Sequence, residues 1–175
     1  MPPDEAKSLK GKTDYFELIS HSPDETQKLG TRIGKLTMPG DILLLVGGLG
    51  TGKTCLTQGI AWGLGIKEYA LSPSFVVIRE LCGRLPLYHI DLYRLDRIEE
   101  IADLGLDDYL YGNGICVVEW AEKGLSLLPL EHLLIQISYL ADTKRHFKLK
   151  PSGQRYLKMV NQLKPLSHNS PKGQG

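Results

Sequence analysis

Ile42-Leu43-Leu44-Leu45-Val46-Gly47-Gly48-Leu49-Gly50-Thr51-Gly52-Lys53-Thr54 is the stretch that decides the fold. Its first five residues are apolar without alternation, as in a strand buried on both faces. Glycines follow at once, and then Leu56, Ile60 and Leu64 recur at helical spacing until Gly65. Strand, glycine-rich turn and helix follow in order, and residues 47–54 satisfy GxxxxGK[ST] in full. Glycines at these positions let successive backbone N–H groups turn inward as an anion cradle, to which the helix start adds partial positive charge. In such a loop Lys53 reaches the β and γ phosphates of a nucleotide and Thr54 offers its hydroxyl to Mg2+. The candidate nucleotide-binding residues are therefore Gly48, Leu49, Gly50, Thr51, Gly52, Lys53 and Thr54.

Outward from this P-loop the chain alternates strands with helices. Upstream, Phe16-Glu17-Leu18-Ile19 reads as a short strand, and Ser22-Pro23-Asp24-Glu25 as a helix start with Ser22 as N-cap and Pro23 in the first position. Downstream, residues 74–81 and 85–90 have strand character with Gly83 between them as a hairpin signal. Asp96 caps a helix through Glu99, Glu100 and Ile101, and Gly112-Asn113-Gly114 turns into a buried strand at residues 115–118. Residues 133–139 and 146–149 read as closing strands. The order predicts an α/β domain with the P-loop NTPase fold, a mainly parallel central sheet flanked by helices. Residues 1–12 read as a flexible leader, 13–150 as the P-loop domain, and 151–175 as a basic, partly disordered tail with one short amphipathic helix carrying Tyr156, Leu157, Val160 and Leu163.

A chain of 175 residues with 42% hydrophobic and 23% charged residues is of single-domain size and ordinary globular composition. A net charge of +1 removes any whole-molecule attraction to nucleic acid or membrane. The average conceals an asymmetry: no acid follows Asp142, and removing the eight basic residues beyond it turns +1 into −7. Cys55, Cys82 and Cys116 have no CxxC spacing and suit a reducing compartment. No apolar run is long enough to span a bilayer or serve as a secretory leader, so the expected location is the cytoplasm.

A magnesium nucleotide site also needs a carboxylate at the end of a neighbouring strand. Two residues qualify: Glu119, directly after the apolar run 115–118, and Asp91, after Leu87-Tyr88-His89-Ile90. One would hold the metal and the other would orient the attacking water; the residues alone leave the order open. Ser72-Pro73-Ser74-Phe75 lies where many nucleotide hydrolases sense the γ-phosphate. Arg94 fits either phosphate neutralisation or pairing with Asp96 or Glu99, His89 reads as a core histidine, and Trp120 suits base stacking or core filling equally.

Together, the P-loop GGLGTGKT, Ser72-Pro73-Ser74-Phe75, the string His89-Ile90-Asp91-Leu92-Tyr93-Arg94-Leu95 and Val118-Glu119-Trp120 resemble the TsaE (YjeE) family over residues 16–140. In that family SPT[YF], H-x-DLYRL and [VI]EW follow the P-loop in this order. The resemblance implies a small bacterial ATPase that acts with TsaB and TsaD to make N6-threonylcarbamoyladenosine at tRNA position 37, meeting tRNA through the complex. It further implies that residues 50–55, Cys55 included, wrap the phosphates, that Thr54 and Glu119 coordinate Mg2+, that Asp91 assists hydrolysis and that Thr26 lies near the nucleotide. Two positions depart from the family pattern: Gly48 stands where Asp is usual, and Ser74 where Thr is commoner.

The other classes fit less well. A small-molecule kinase would use Asp91 as the base, yet only Arg145 and Arg155 follow Glu119 to furnish an arginine lid. A GTPase is disfavoured by the lack of an NKxD string. A nucleotide-binding adaptor that signals by occupancy is separated from an ATPase by phosphate release.

Overall fold

The computed structural model describes residues 15–69 and 76–165. In chain order the elements are β1 (Phe16–Ser20), α1 (Pro23–Leu36), β2 (Ile42–Val46), α2 (Lys53–Gly63), β3 (Ile78–Cys82), β4 (Pro86–Asp91), α3 (Ile98–Ala102), α4 (Asp107–Leu110), β5 (Ile115–Glu119), β6 (His132–Ala141), β7 (Lys144–Ser152) and α5 (Gln154–Leu163). One seven-stranded sheet has the order β1-β7-β6-β2-β5-β4-β3. Its centre, β6-β2-β5-β4, is parallel. Both margins are antiparallel: β1 and β6 each pair with β7, and β3 pairs with β4. The parallel expectation therefore holds for the centre only. The hairpin signal at Gly83 marks one margin, whereas the turn between β6 and β7 carries no comparable glycine.

The unbroken apolar runs become the middle of the sheet because both of their faces are covered. Leu43 and Leu45 of β2 and Val117 of β5 face α1, α2 and α5 in one core with Leu29, Ile33, Leu56 and Ile60. Ile42, Leu44, Cys116 and Val118 point the other way, against Ile101, Leu106 and Leu110 of the α3–α4 region. Burial pushes the Cys116 thiol pKa up to about 12, so this cysteine acts as a core side chain.

Ser22 caps α1 as its sequence predicts: its Oγ accepts from the Glu25 N–H at 3.1 Å, while the Glu25 carboxylate accepts from the His21 N–H at 2.7 Å. α3 begins differently from the expectation, with Arg97 rather than Asp96 at the cap position. There Glu100 reaches back and accepts from the N–H groups of both Asp96 and Arg97, so the carboxylate one turn inside the helix replaces the cap. β3 starts at Ile78; the earlier part of the strand expected over 74–81 includes residues outside the described ones.

The boundary expected at residue 150 falls inside β7, and the folded unit continues through α5. Tyr156, Met159, Val160 and Leu163 of that helix are buried in the core, and Met159 takes the inward place assigned to Leu157. Arg155 grips the buried Asp41 carboxylate with Nε at 3.1 Å and Nη2 at 2.7 Å, and the Tyr156 hydroxyl accepts from the Ile42 N–H at 2.8 Å. Basic residues therefore punctuate a core helix here, and charge alone misread it. The leader over residues 1–12 and the end of the tail lie outside the described residues. No helix among the described residues is long and apolar enough to cross a membrane.

α1 and α2 meet through glycines. A Cβ on Gly59 would stand 2.2 Å from the Gln27 carbonyl oxygen, and one on Gly30 2.4 Å from that of Leu56. These are backbone atoms, which cannot yield without moving a helix. Gly59→Ala is expected to destabilise the fold by about 2 kcal/mol, overpacking outweighing the gain in helix propensity. Thermal unfolding should show a Tm lower by about 4–8 °C. Gly48→Ala, where a Cβ meets only the Thr51 methyl at 3.9 Å, should leave Tm nearly unchanged.

Candidate active site

The loop between β2 and α2 turns on Gly50 (φ +73°) and Gly52 (φ +105°), backbone conformations that a side chain would strain. α2 starts at Lys53 with no side-chain cap and no acid in its first turn. Its first N–H groups therefore lack a competing side-chain anion. Within the loop, the Thr51 hydroxyl donates to Gly48 O at 2.9 Å, and Lys53 Nζ donates to Gly47 O at 2.6 Å and Gly48 O at 2.7 Å. Burial pushes the Lys53 ammonium pKa down, while Glu119, Glu122 and Asp91 act against that shift. From the start of β7, Arg145 braces the same loop, with Nε 3.1 Å from Thr51 O and Nη2 3.3 Å from Gly50 O.

The two candidate carboxylates stand side by side. Asp91 ends β4 and Glu119 ends β5, and the two are partners in the parallel register, as Leu45 of β2 and Glu119 are. Both therefore lie at the sheet edge from which the loop springs, on strands spaced about 4.8 Å apart. Asp91 Oδ1 accepts from the Tyr93 N–H at 2.9 Å. Glu119, only 2% exposed, approaches His89 Nε2 at 2.9 Å and the Thr57 hydroxyl at 3.2 Å through Oε1. Thr54 Oγ1 lies 3.4 Å and 3.5 Å from its two oxygens.

Trp120 follows in the left-handed region, the one non-glycine residue at positive φ among the described residues. For so bulky a side chain this is a strained conformation. It sets the indole over Lys53 Nζ, 4.2 Å from the ring centroid, and 5.0 Å from the Tyr93 ring. Lys123 fixes the same wall by donating to the carbonyls of Tyr93 and Leu95 at 2.5 Å and 3.1 Å. Trp120 thus covers the loop lysine while packing, partly buried, against the core on the α3–α4 side of the sheet.

Leu49, Gly50, Gly52, Lys53, Thr54, Cys55, Asp91, Arg94, Glu119 and Trp120 share the lining of one cavity of about 410 Å3, within the range of small-molecule sites. Gly48 does not line it, and its carbonyl is held by Lys53 and Thr51. Thr26 lies on the other side of Cys55, in a cleft of about 140 Å3 with Ser22, Thr51 and Arg145, and its hydroxyl is 2.7 Å from Ser20 Oγ. Burial pushes the Cys55 thiol pKa up, so it is a wall and not a nucleophile. The Ser72-Pro73-Ser74-Phe75 segment lies outside the described residues.

No group of three His, Cys, Asp or Glu side chains that could hold a metal occurs among the described residues. Magnesium bound with a nucleotide does not need one, since phosphate oxygens and waters supply most of its ligands beside one or two protein oxygens. A buried carboxylate beside a threonine hydroxyl, next to a glycine cradle and a lysine, fits that donor set.

The family model described as threonylcarbamoyl adenosine biosynthesis protein TsaE matches residues 20–147. The chain belongs to the TsaE family. Within that match fall the loop, both carboxylates and Trp120, whereas α5 lies beyond it. Among TsaE relatives, the tRNA threonylcarbamoyladenosine biosynthesis protein TsaE of Bacillus subtilis is 43% identical over 143 residues, covering 81% of this chain and 89% of its own. That of Treponema pallidum is 42% identical over 127 residues, covering 73% and 94%. The crystal structure of Bacillus subtilis YdiB superposes with a TM-score of 0.76 at 37% identity, over 86% of this chain and 94% of that one.

Sequence reasoning missed His89, Thr57 and Arg145 as members of the candidate site. The His89 signal was present: two residues before Asp91 on a strand, it must share that carboxylate's face. Thr57 stands one turn after Lys53 and faces the sheet for the same reason of period. Arg145 carried no local signal, because it reaches the loop across 94 residues of sequence.

Proposed function

We propose that this chain binds ATP with Mg2+, hydrolyses it to ADP and phosphate, and works with TsaB and TsaD in making N6-threonylcarbamoyladenosine at tRNA position 37, meeting tRNA through that complex. The observation that carries the reading is the convergence of Lys53, Thr54, Asp91 and Glu119 on one cavity in a chain of the TsaE family.

In this reading residues 50–55 cradle the phosphates with their N–H groups, and Lys53 exchanges the Gly47 and Gly48 carbonyls for β- and γ-phosphate oxygens. Thr54 and Glu119 hold the metal, which when bound neutralises phosphate charge. Asp91, aligned by the Tyr93 N–H, accepts a hydrogen bond from the attacking water and orients it toward the γ-phosphorus. Trp120 shields Lys53 from solvent, which strengthens its attraction for phosphate. Thr26 lies near the nucleotide on the far side of Cys55.

Phosphate release tests the proposal. The purified chain should turn over slowly alone and faster with TsaB and TsaD present, and pull-downs should differ between an ATP analogue, ADP and no nucleotide. Equal binding in all three states, with phosphate release unaffected by the partners, would refute the partnership.

A further inference from the structure

We propose that His89 is a positioning residue: it pins one oxygen of Glu119 and so leaves the other free to hold the metal beside Thr54. This rests on the magnesium–nucleotide reading above and deepens it. His89 is fully buried, and its Nε2 lies 2.9 Å from Glu119 Oε1. Its Nδ1 is buried with no hydrogen-bond partner among the described residues. A proton on Nδ1 would therefore be an orphaned donor, the most unfavourable way to leave a buried polar group. The proton belongs on Nε2, and the contact is a donation from the ring to the carboxylate.

The other neighbours of Glu119 cannot replace it. The Thr57 hydroxyl has one proton, and Lys53 O at 2.9 Å is a nearer acceptor for it than Glu119 Oε1 at 3.2 Å. Thr54 stays at 3.4 Å or beyond from both carboxylate oxygens. Oε1 thus takes the short bond, and Oε2 meets only Thr54 among the described side chains. Glu119 also feels the Lys53 ammonium, and a carboxylate free to rotate would be drawn toward it and tie up both groups. The His89 bond holds the two apart in the state that must receive metal and phosphate. Partners of this kind, one step removed from the ligands, commonly govern metal affinity by about 10–100-fold.

The test uses the full chain and Mn2+ as the probe, read by electron paramagnetic resonance with ATP present. His89→Asn, whose amide is too short to reach Glu119, should weaken Mn2+ binding about tenfold. Its affinity for ATP in chelator should stay within about twofold. His89→Gln, whose amide nitrogen can occupy the Nε2 position, should recover most of the loss. Unchanged Mn2+ affinity in His89→Asn would overturn the proposal, as would equal losses in the Asn and Gln variants or a matching loss of metal-free ATP affinity. Glu119→Gln separates the two readings: if it too leaves Mn2+ affinity unchanged, the metal assignment itself fails. Nitrogen-15 NMR of the unaltered protein needs no variant to fold. It should place the His89 proton on Nε2, and a proton on Nδ1 would overturn the assignment.

Discussion

Lys53→Ala is expected to weaken ATP binding about a hundredfold. The side chain is positioned to give charge-assisted hydrogen bonds to two phosphate groups, each worth roughly 1.5–3 kcal/mol, and about 2.7 kcal/mol corresponds to that factor. Trp120 at 4.2 Å and partial burial reduce the competition from water for the ammonium. Part of the gain is offset, because Lys53 must first leave the carbonyls of Gly47 and Gly48. Those same bonds mean that the variant loosens the start of the loop, so circular dichroism and thermal unfolding should accompany calorimetry with ATP. Lys53→Arg should not rescue, since a planar fork cannot take the place of a compact ammonium under the Trp120 ring. An unchanged ATP affinity in Lys53→Ala would remove the basis for reading residues 47–54 as a phosphate loop.

The second large effect is on turnover. Glu119→Gln should lower ATP hydrolysis in the complex about a hundredfold, about 2.7 kcal/mol in barrier, and Asp91→Asn at least about tenfold. The difference follows from their surroundings. Glu119 is almost fully buried beside Thr54, where a lost negative charge is not replaced by water, whereas Asp91 is more accessible, at 9% exposure. Both substitutions keep size and shape, so the fold should persist by circular dichroism. Raising the Mg2+ concentration should partly restore the Glu119→Gln variant and leave Asp91→Asn unaffected, because only the first is assigned to the metal. Wild-type rates in both variants would show that the roles of metal holder and water orienter are misplaced.

The motifs at residues 42–54, 89–95 and 118–120 were legible because each combines a local period with a chemical type. An unalternating run such as Ile42-Leu43-Leu44-Leu45-Val46 must be covered on both faces, and a helix start after glycines must be open to an anion. Family membership, the P-loop fold and the candidates Lys53, Thr54, Asp91 and Glu119 all followed from such strings. The mistaken tail had a local cause as well. Its basic residues Arg155, Lys158, Lys164 and Lys172 suggest a solvated segment, whereas the worth of the inward stripe of Tyr156, Met159, Val160 and Leu163 depends on a core that lies elsewhere in the chain.

What the sequence by itself determined is therefore the set of elements and the chemical kinds at their ends, since these depend on neighbours within a few residues. Only the tertiary structure decided which ends meet. The parallel register sets Asp91 beside Glu119, the approach of α2 to β5 brings Thr54 and Thr57 to that carboxylate, and the turn back through β7 delivers Arg145 to the loop. It also decided that His89 is the partner of Glu119 rather than a bystander in the core, and that Trp120 covers Lys53. Strand pairing and side-chain contact across 30 to 94 residues are set by packing the whole sheet against its helices, and no local window contains that information.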